Sequence, residues 1–313
     1  MPLIQINAVG DRPELAGAMT LERSLDHHIA ALPADAPIVV LVHGYKFCPF
    51  DSKRDPHDNI LSMAPKSRLG VISWPRHLGF GRGRGDEGLC IGFGWQARGS
   101  FWQAYRAAER AGLALAELIG LIAGLTQRRV HLVAHSLGVR VALGAIAAAP
   151  CGAVGRSILM AAAEFQGAAA HCLSKPAGQR AEIINVTSRE NDIFDVMVER
   201  LIHPFGGAQA LGAGLSEAKP NWLDIQIDHA PTRAALAGLG HRIAAPERRV
   251  CHWSGYLRPG LFGFYSDLIR TPDALPMALL KTALPEACDR RWSRLLSLPA
   301  GLAPLPFPRK ASF

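Results

Sequence analysis

The sequence predicts a doubly wound, mostly parallel α/β sheet flanked by helices, and three observations carry that prediction. Residues 37–42 (PIVVLV) form an apolar, β-branched run of the length expected for a strand buried on both faces. Residues 130–144 (VHLVAHSLGVRVALG) pass from a second apolar run straight into a helix-like stretch, with small residues at the turn. Along the remaining chain, strand-like and helix-like segments alternate, as they do when helices cover both faces of a parallel sheet.

Taken in order, residues 3–8 read as a first strand and 21–32 as a helix. The run 37–42 follows and ends in His43-Gly44-Tyr45, where a glycine lets the backbone pass close to a ligand. A loop over 46–55 leads to a short helix near 57–63, and 69–73 to a strand stopped by Trp74-Pro75. Residues 77–99 are rich in glycine and are expected to form an insertion loop beside a substrate cleft. They contain Gly83-Arg84-Gly85-Asp86-Glu87-Gly88, but this G-x-G-x-x-G spacing neither follows a strand nor opens a helix, so it is not read as a dinucleotide site. Ser100 and Gln103 have the spacing of a capping box at the head of a long helix reaching 125. Beyond 130–144, the strands are 156–161, 181–187 and 222–227, with a late helix over 261–269. The segment 272–313 is rich in proline and is expected to wrap a single domain spanning 1–313; an amphipathic piece lies at 287–296.

With 49% hydrophobic and 19% charged residues, the chain is expected to be globular. The formal charge of +8 comes from scattered Lys and Arg, which implies weak attraction to anionic surfaces or substrates. No basic run interleaves with stacking aromatics, so nucleic acid is not an expected partner. Six cysteines without a C-x-x-C pair, and an N-terminus without a basic start and apolar core, predict a cytoplasmic protein with free thiols. The apolar window 111–125 is too short for a bilayer and contains Glu117. No metal site and no cofactor site are read from the sequence.

The segment Ala134-His135-Ser136-Leu137-Gly138 fits a nucleophile elbow, G-x-S-x-G with alanine in the first position. A serine hydroxyl needs a base to take its proton, and the base needs a group to hold its tautomer. On this kind of sheet the chain order is serine, acid, histidine. Ser136 is followed by Asp192, just past the strand 181–187, and by His252 in an aromatic loop. Competitors for the acid are Asp195 and Glu164; the competitor for the base is His229. His135 is expected to point away from the nucleophile by strand alternation. The backbone N–H groups of Leu137 and Tyr45 are the candidate oxyanion donors.

On these residues the chain resembles the serine hydrolases of the α/β-hydrolase superfamily. It is similar in particular to a bacterial branch with HGY, SWP and AHS[ML]G segments, here His43-Gly44-Tyr45, Ser73-Trp74-Pro75 and Ala134 to Gly138. That branch commonly carries an F-x-D-A segment after HGY, for which Phe50-Asp51-Ser52 is an approximate counterpart. The similarity runs from Pro37 to Ile269. It implies an α/β-hydrolase fold, a Ser–His–acid triad, no cofactor, and hydrolysis of an ester, thioester or amide. The expected substrate is a small acyl ester; a non-catalytic binding scaffold and an acyltransferase are the alternatives.

Overall fold

The computed structural model of the chain describes residues 3–15, 19–65 and 71–296. Their strands are β1 (Leu3–Val9), β2 (Arg12–Leu15), β3 (Ile38–Val42), β4 (Leu89–Gly94), β5 (Val130–His135), β6 (Val154–Met160), β7 (Glu182–Thr187) and β8 (Trp222–Gln226). They form one eight-stranded sheet in the order β2-β1-β4-β3-β5-β6-β7-β8. β2 folds back antiparallel on β1, and every other neighbouring pair is parallel. The helices are α1 (Leu21–Ala30), α2 (Trp74–His77), α3 (Phe101–Leu125), α4 (Gly138–Ala148), α5 (Gln166–Ser174) and α6 (Pro176–Arg180). They continue as α7 (Asp192–Ile202), α8 (Ala230–Gly238), α9 (Ser254–Leu257), α10 (Leu261–Arg270), α11 (Met277–Ala283) and α12 (Ser293–Leu296).

Strand alternation divides the core in two. Ile38, Val40 and Val42 of β3 pack with Leu25 of α1, Leu115 and Leu118 of α3, and Val141 and Ile146 of α4. Val39 and Leu41 face the other way, against Trp74 of α2, Leu236 of α8, Phe264 and Leu268 of α10, and Leu280 of α11. The capping box of α3 forms as the sequence predicts: Ser100 accepts from the Gln103 backbone, and the Gln103 side chain accepts from the Ser100 N–H. Ala104, Ala108, Ala111, Leu115, Leu118 and Ile122 then recur at helical spacing along its buried side.

The structure differs from the sequence reading in several elements, among them short helices such as α5, α6, α8 and α11 that had no expected counterpart. The glycine-rich segment 77–99 holds β4, an interior strand between β1 and β3, so it is not a loop throughout. The glycines of β4 are there for space: a Cβ on Gly94 would lie 2.4 Å from Oδ1 of Asn7 and 2.9 Å from Nε2 of His57. Around 57–63 only a 3-10 turn forms, Pro56–Asp58. Residues 71–73 are not a strand; 69–70, the rest of that expected element, lie outside the described residues. The strand β2 had no expected counterpart. Of the C-terminal extension, 272–296 is described and packs on the body, while 297–313 lies outside the described residues.

The order of strands sets the position of the site. After β3 the chain adds β4 on one side, then crosses through α3 to add β5 on the other. This reversal opens a crevice above the carboxyl ends of β3 and β5, where ligands bind in open α/β sheets. His43-Gly44-Tyr45 and Ser136 leave the sheet at those two ends. Among the described residues, no helix is long and apolar enough to cross a membrane.

Candidate active site

Ser136 follows β5 directly and has a φ of 55°, in the left-handed region. A non-glycine residue there carries strain of order 1–3 kcal/mol, so its surroundings must hold it. They do: its N–H donates to Met160 O at 2.9 Å, and its carbonyl accepts from Val139 at 3.0 Å and Ala163 at 3.1 Å. Two glycines let the β3 loop press against this turn. A Cβ on Gly44 would lie 2.9 Å from the Cβ of Ser136, and one on Gly138 would lie 2.5 Å from His43 O.

His252 stands just before α9 and bridges two elements. Its Nε2 is 2.8 Å from Ser136 Oγ, and its Nδ1 is 2.7 Å from Oδ1 of Asn191. Asn191 ends the 3-10 turn Arg189–Asn191 that follows β7. Its Nδ2 donates to Oδ1 of Asp195 at 2.8 Å, which turns the amide carbonyl toward the imidazole. His252 Nδ1 therefore carries the proton and Nε2 is left to accept from the serine. Burial, with His135 alongside, holds the imidazole well below its usual range and keeps it neutral. Burial pushes Asp195 up to about 7, against the pull of Arg291 and Arg189.

Asp192 does not occupy the place expected for it, and the geometry corrects that expectation. Its Oδ2 accepts from the Trp292 N–H at 2.6 Å, and its Oδ1 is 3.3 Å from Nη1 of Arg189. The 3-10 turn after β7 brings Asn191 to the strand end, and the next residue, rotated by about 100° in a helix, faces the C-terminal segment instead. The competitors fare differently. Glu164 is engaged by Tyr105, Arg140 and its own Phe165 N–H. His229 bonds Thr232 within α8. Asp195 joins the site through Asn191.

His135 was expected to point away from the nucleophile. It lies on the sheet face of Trp74 and Tyr256, and the loop carrying His252 comes in over that face. Its Nε2–H donates to His252 O at 3.0 Å and so anchors His252 from its backbone. Phe194 covers the other side, with its ring 4.6 Å from that of His252. The Cys251 N–H donates to Glu190 O at 2.9 Å, which ties the histidine loop to the turn holding Asn191.

The two candidate oxyanion donors, the backbone N–H groups of Tyr45 and Leu137, have no hydrogen-bond acceptor among the described residues. The β3 loop that presents Tyr45 is tied down by hydrogen bonds. His43 Nδ1 donates to Gly44 O at 2.9 Å and its Nε2 accepts from Trp95 N–H at 3.0 Å, while the indole Nε1 donates to His43 O at 2.9 Å. Burial keeps His43 neutral by lowering it to about 3, which preserves this tautomer. Tyr45 OH donates to Gly99 O at 2.7 Å, and Lys46 N–H to Ala97 O at 2.8 Å.

Ser136, His252 and Asn191 open onto a cavity of about 470 Å³. Phe101, Phe194, Met197, Val198 and Leu201 give it apolar walls, and Lys46 and Arg54 also line it. Among the described residues, no group of three His, Cys, Asp or Glu side chains is placed to hold a metal ion. Comparison of the chain with protein-family models and with curated proteins finds no match.

Proposed function

We propose that the protein is a serine hydrolase of the α/β-hydrolase kind that cleaves a carboxylic ester or thioester. One observation carries the reading: a neutral His252 accepts at 2.8 Å from the hydroxyl of a serine held at a left-handed strand-to-helix turn. In this reading Ser136 Oγ attacks the acyl carbonyl while His252 Nε2 takes its proton. The negative charge that develops on the carbonyl oxygen is met by the free N–H groups of Tyr45 and Leu137. Collapse of the tetrahedral intermediate breaks the bond to the leaving group, which takes the proton from His252. Water then attacks the acyl-Ser136 ester, losing a proton to His252, and Ser136 leaves with that proton. Asn191 holds the base in its tautomer, and Asp195 holds Asn191.

All six cysteines are unbridged, which fits a reducing compartment, and we place the enzyme in the cytoplasm. Fluorophosphonate labelling of the wild type and of Ser136→Ala tests the reaction. The reading expects label on the wild type that the substitution abolishes; label surviving Ser136→Ala would overturn it.

A further inference from the structure

The cavity above Ser136 takes its cations from one part of the sheet edge and a continuous apolar helix face from another, and the topology places the serine between them. In the sheet, β5 lies between β3 and the β6–β7 pair. Beyond β7, the helix α7 presents Phe194, Met197, Val198 and Leu201 to the cavity, four residues at i, i+3, i+4 and i+7 spacing on one helix face. Beyond β3, the chain presents Lys46 and Arg54, with Phe47 and Ile60 beside them, to the same cavity, and these are its two cationic lining residues. A contiguous depression lined by Tyr45, Lys46, Arg54, Arg98 and Gly99 extends that side outward.

The Lys46 ammonium lies 5.9 Å from the centroid of the Tyr45 ring, and two of the three cations have no acidic partner among the described residues. Arg98 is paired with Asp51, whereas no carboxylate pairs with Lys46 or Arg54 among the described residues. Lys46 is fixed by its backbone: it has a φ of 75°, and its N–H is bonded to Ala97 O. A non-glycine residue in that conformation directs its side chain where an extended residue would not. No acidic side chain lines the cation-bearing side of the cavity; Asp195, the acid of the lining, belongs to α7 and is turned to Asn191.

We infer that the substrate is an amphiphilic anionic ester, with an apolar chain lying along α7 and a phosphate or carboxylate held by Lys46 and Arg54 across the scissile carbonyl. This rests on the hydrolase reading for the position of the carbonyl, but the anion subsite can be measured without turnover.

The test compares decanoyl glycerol 3-phosphate with monodecanoylglycerol, and O-decanoyl glycolate with its methyl ester. Each pair shares a chain and differs in the anion. Asparagine tolerates a left-handed backbone, so the variant is Lys46→Asn combined with Arg54→Gln. The wild type is expected to prefer the anionic member of at least one pair by about tenfold in kcat/KM at low salt, mostly through KM. The double variant is expected to bring that ratio close to one. The pair with the larger ratio tells phosphate from carboxylate. Equal turnover of both members by the wild type, or a ratio unmoved in the double variant, overturns the inference. Calorimetric binding of decanoyl glycerol 3-phosphate and O-decanoyl glycolate to Ser136→Ala separates the two readings. Binding lost with Lys46 and Arg54, in a wild type that hydrolyses nothing, supports the subsite and sinks the hydrolase. Absence of both turnover and binding sinks the subsite as well.

Discussion

Asn191 presents its Oδ1 to Nδ1 of His252 at 2.7 Å, in the position where a serine–histidine pair ordinarily has a carboxylate. An amide can fix the imidazole tautomer as a carboxylate does, because Nδ1–H still has an acceptor. It cannot supply a full negative charge to the imidazolium that the proposed reaction would form on taking the proton of Ser136. Asp195 sits behind the amide at 2.8 Å, and when ionised it polarises the amide toward the imidazole.

Replacing Asn191 separates these roles. Asn191→Ala leaves Nδ1 without its acceptor and frees the tautomer, so kcat is expected to fall by roughly 10²–10³-fold with little change in KM. Asn191→Asp places two carboxyl groups in contact, and one of them must then hold a proton near neutral pH. An additional ionisation in the pH profile of kcat is expected for that variant. A profile superimposable on the wild type would show that residue 191 does not communicate with the base.

Asp195 links the site to pH. Its folded pKa is raised to about 7 from an ordinary 3.8, chiefly by burial. A raised carboxyl favours folding while it is protonated; its contribution is present below the unfolded value and is lost as pH rises toward 7. Asp195→Asn is therefore expected to be more stable than the wild type at pH 8.5 and to differ little at pH 4, as read from urea midpoints. Activity moves the other way, because the variant lacks the charge that polarises Asn191. Its kcat is expected to be several-fold lower at pH 8.5, with the limb near pH 7 flattened.

The turn that carries Asn191 is clamped by a buried ion pair between Arg258 and Glu190, whose side chains are 4% and 2% exposed. Arg258 also donates to Ile227 O at 2.7 Å, while Glu190 O accepts from Cys251, next to the base. Removing one partner leaves the other charged and buried. Arg258→Met is expected to cost about 3–5 kcal/mol. Arg258→Met with Glu190→Gln is expected to recover part of that loss. Chemical denaturation of the two variants reads both, and equal losses would assign the cost to packing alone.

Ser136 and His252 were legible because their signals are local: an apolar strand, small residues at a turn, a helix, and a histidine in an aromatic loop late in the chain. The third partner was not. Asn191 and Asp192 are neighbours, and only the 3-10 turn after β7 decides which of them faces His252. Sequence chemistry favours the carboxylate, and backbone geometry favours the amide. β4 was hidden for a different reason: its Gly92 and Gly94 read as loop residues, yet they make room for His57 and Asn7. The apolar face of α7 was readable at i, i+3, i+4 and i+7, although nothing in that spacing tells a core face from a cavity wall.

The buried histidines predict how the protein responds to acid. Burial lowers His43 to about 3 and His57, His131 and His135 to about 4, and holds His252 well below its usual range. Each is neutral in the folded protein and takes a proton near pH 6.5 once unfolded. Their contribution is therefore complete above pH 6.5 and is lost as pH falls toward 4, by at most about 1.4 kcal/mol per pH unit for each. Asp195 opposes this trend between pH 4 and 7, and burial raises Asp192 in the same sense, but these are two groups against five. The urea midpoint is expected to fall steeply from pH 7 to pH 5. His57 offers a control outside the base pair: its Nε2 is 2.8 Å from Oδ1 of Asn7, a bond that the amide of His57→Gln can replace. That variant is expected to show a shallower fall, by one proton's worth of slope. A midpoint that does not change between pH 7 and pH 5 would mean that these histidines are protonated in the folded chain, and the neutral His252 on which the proposed chemistry depends would fall with them.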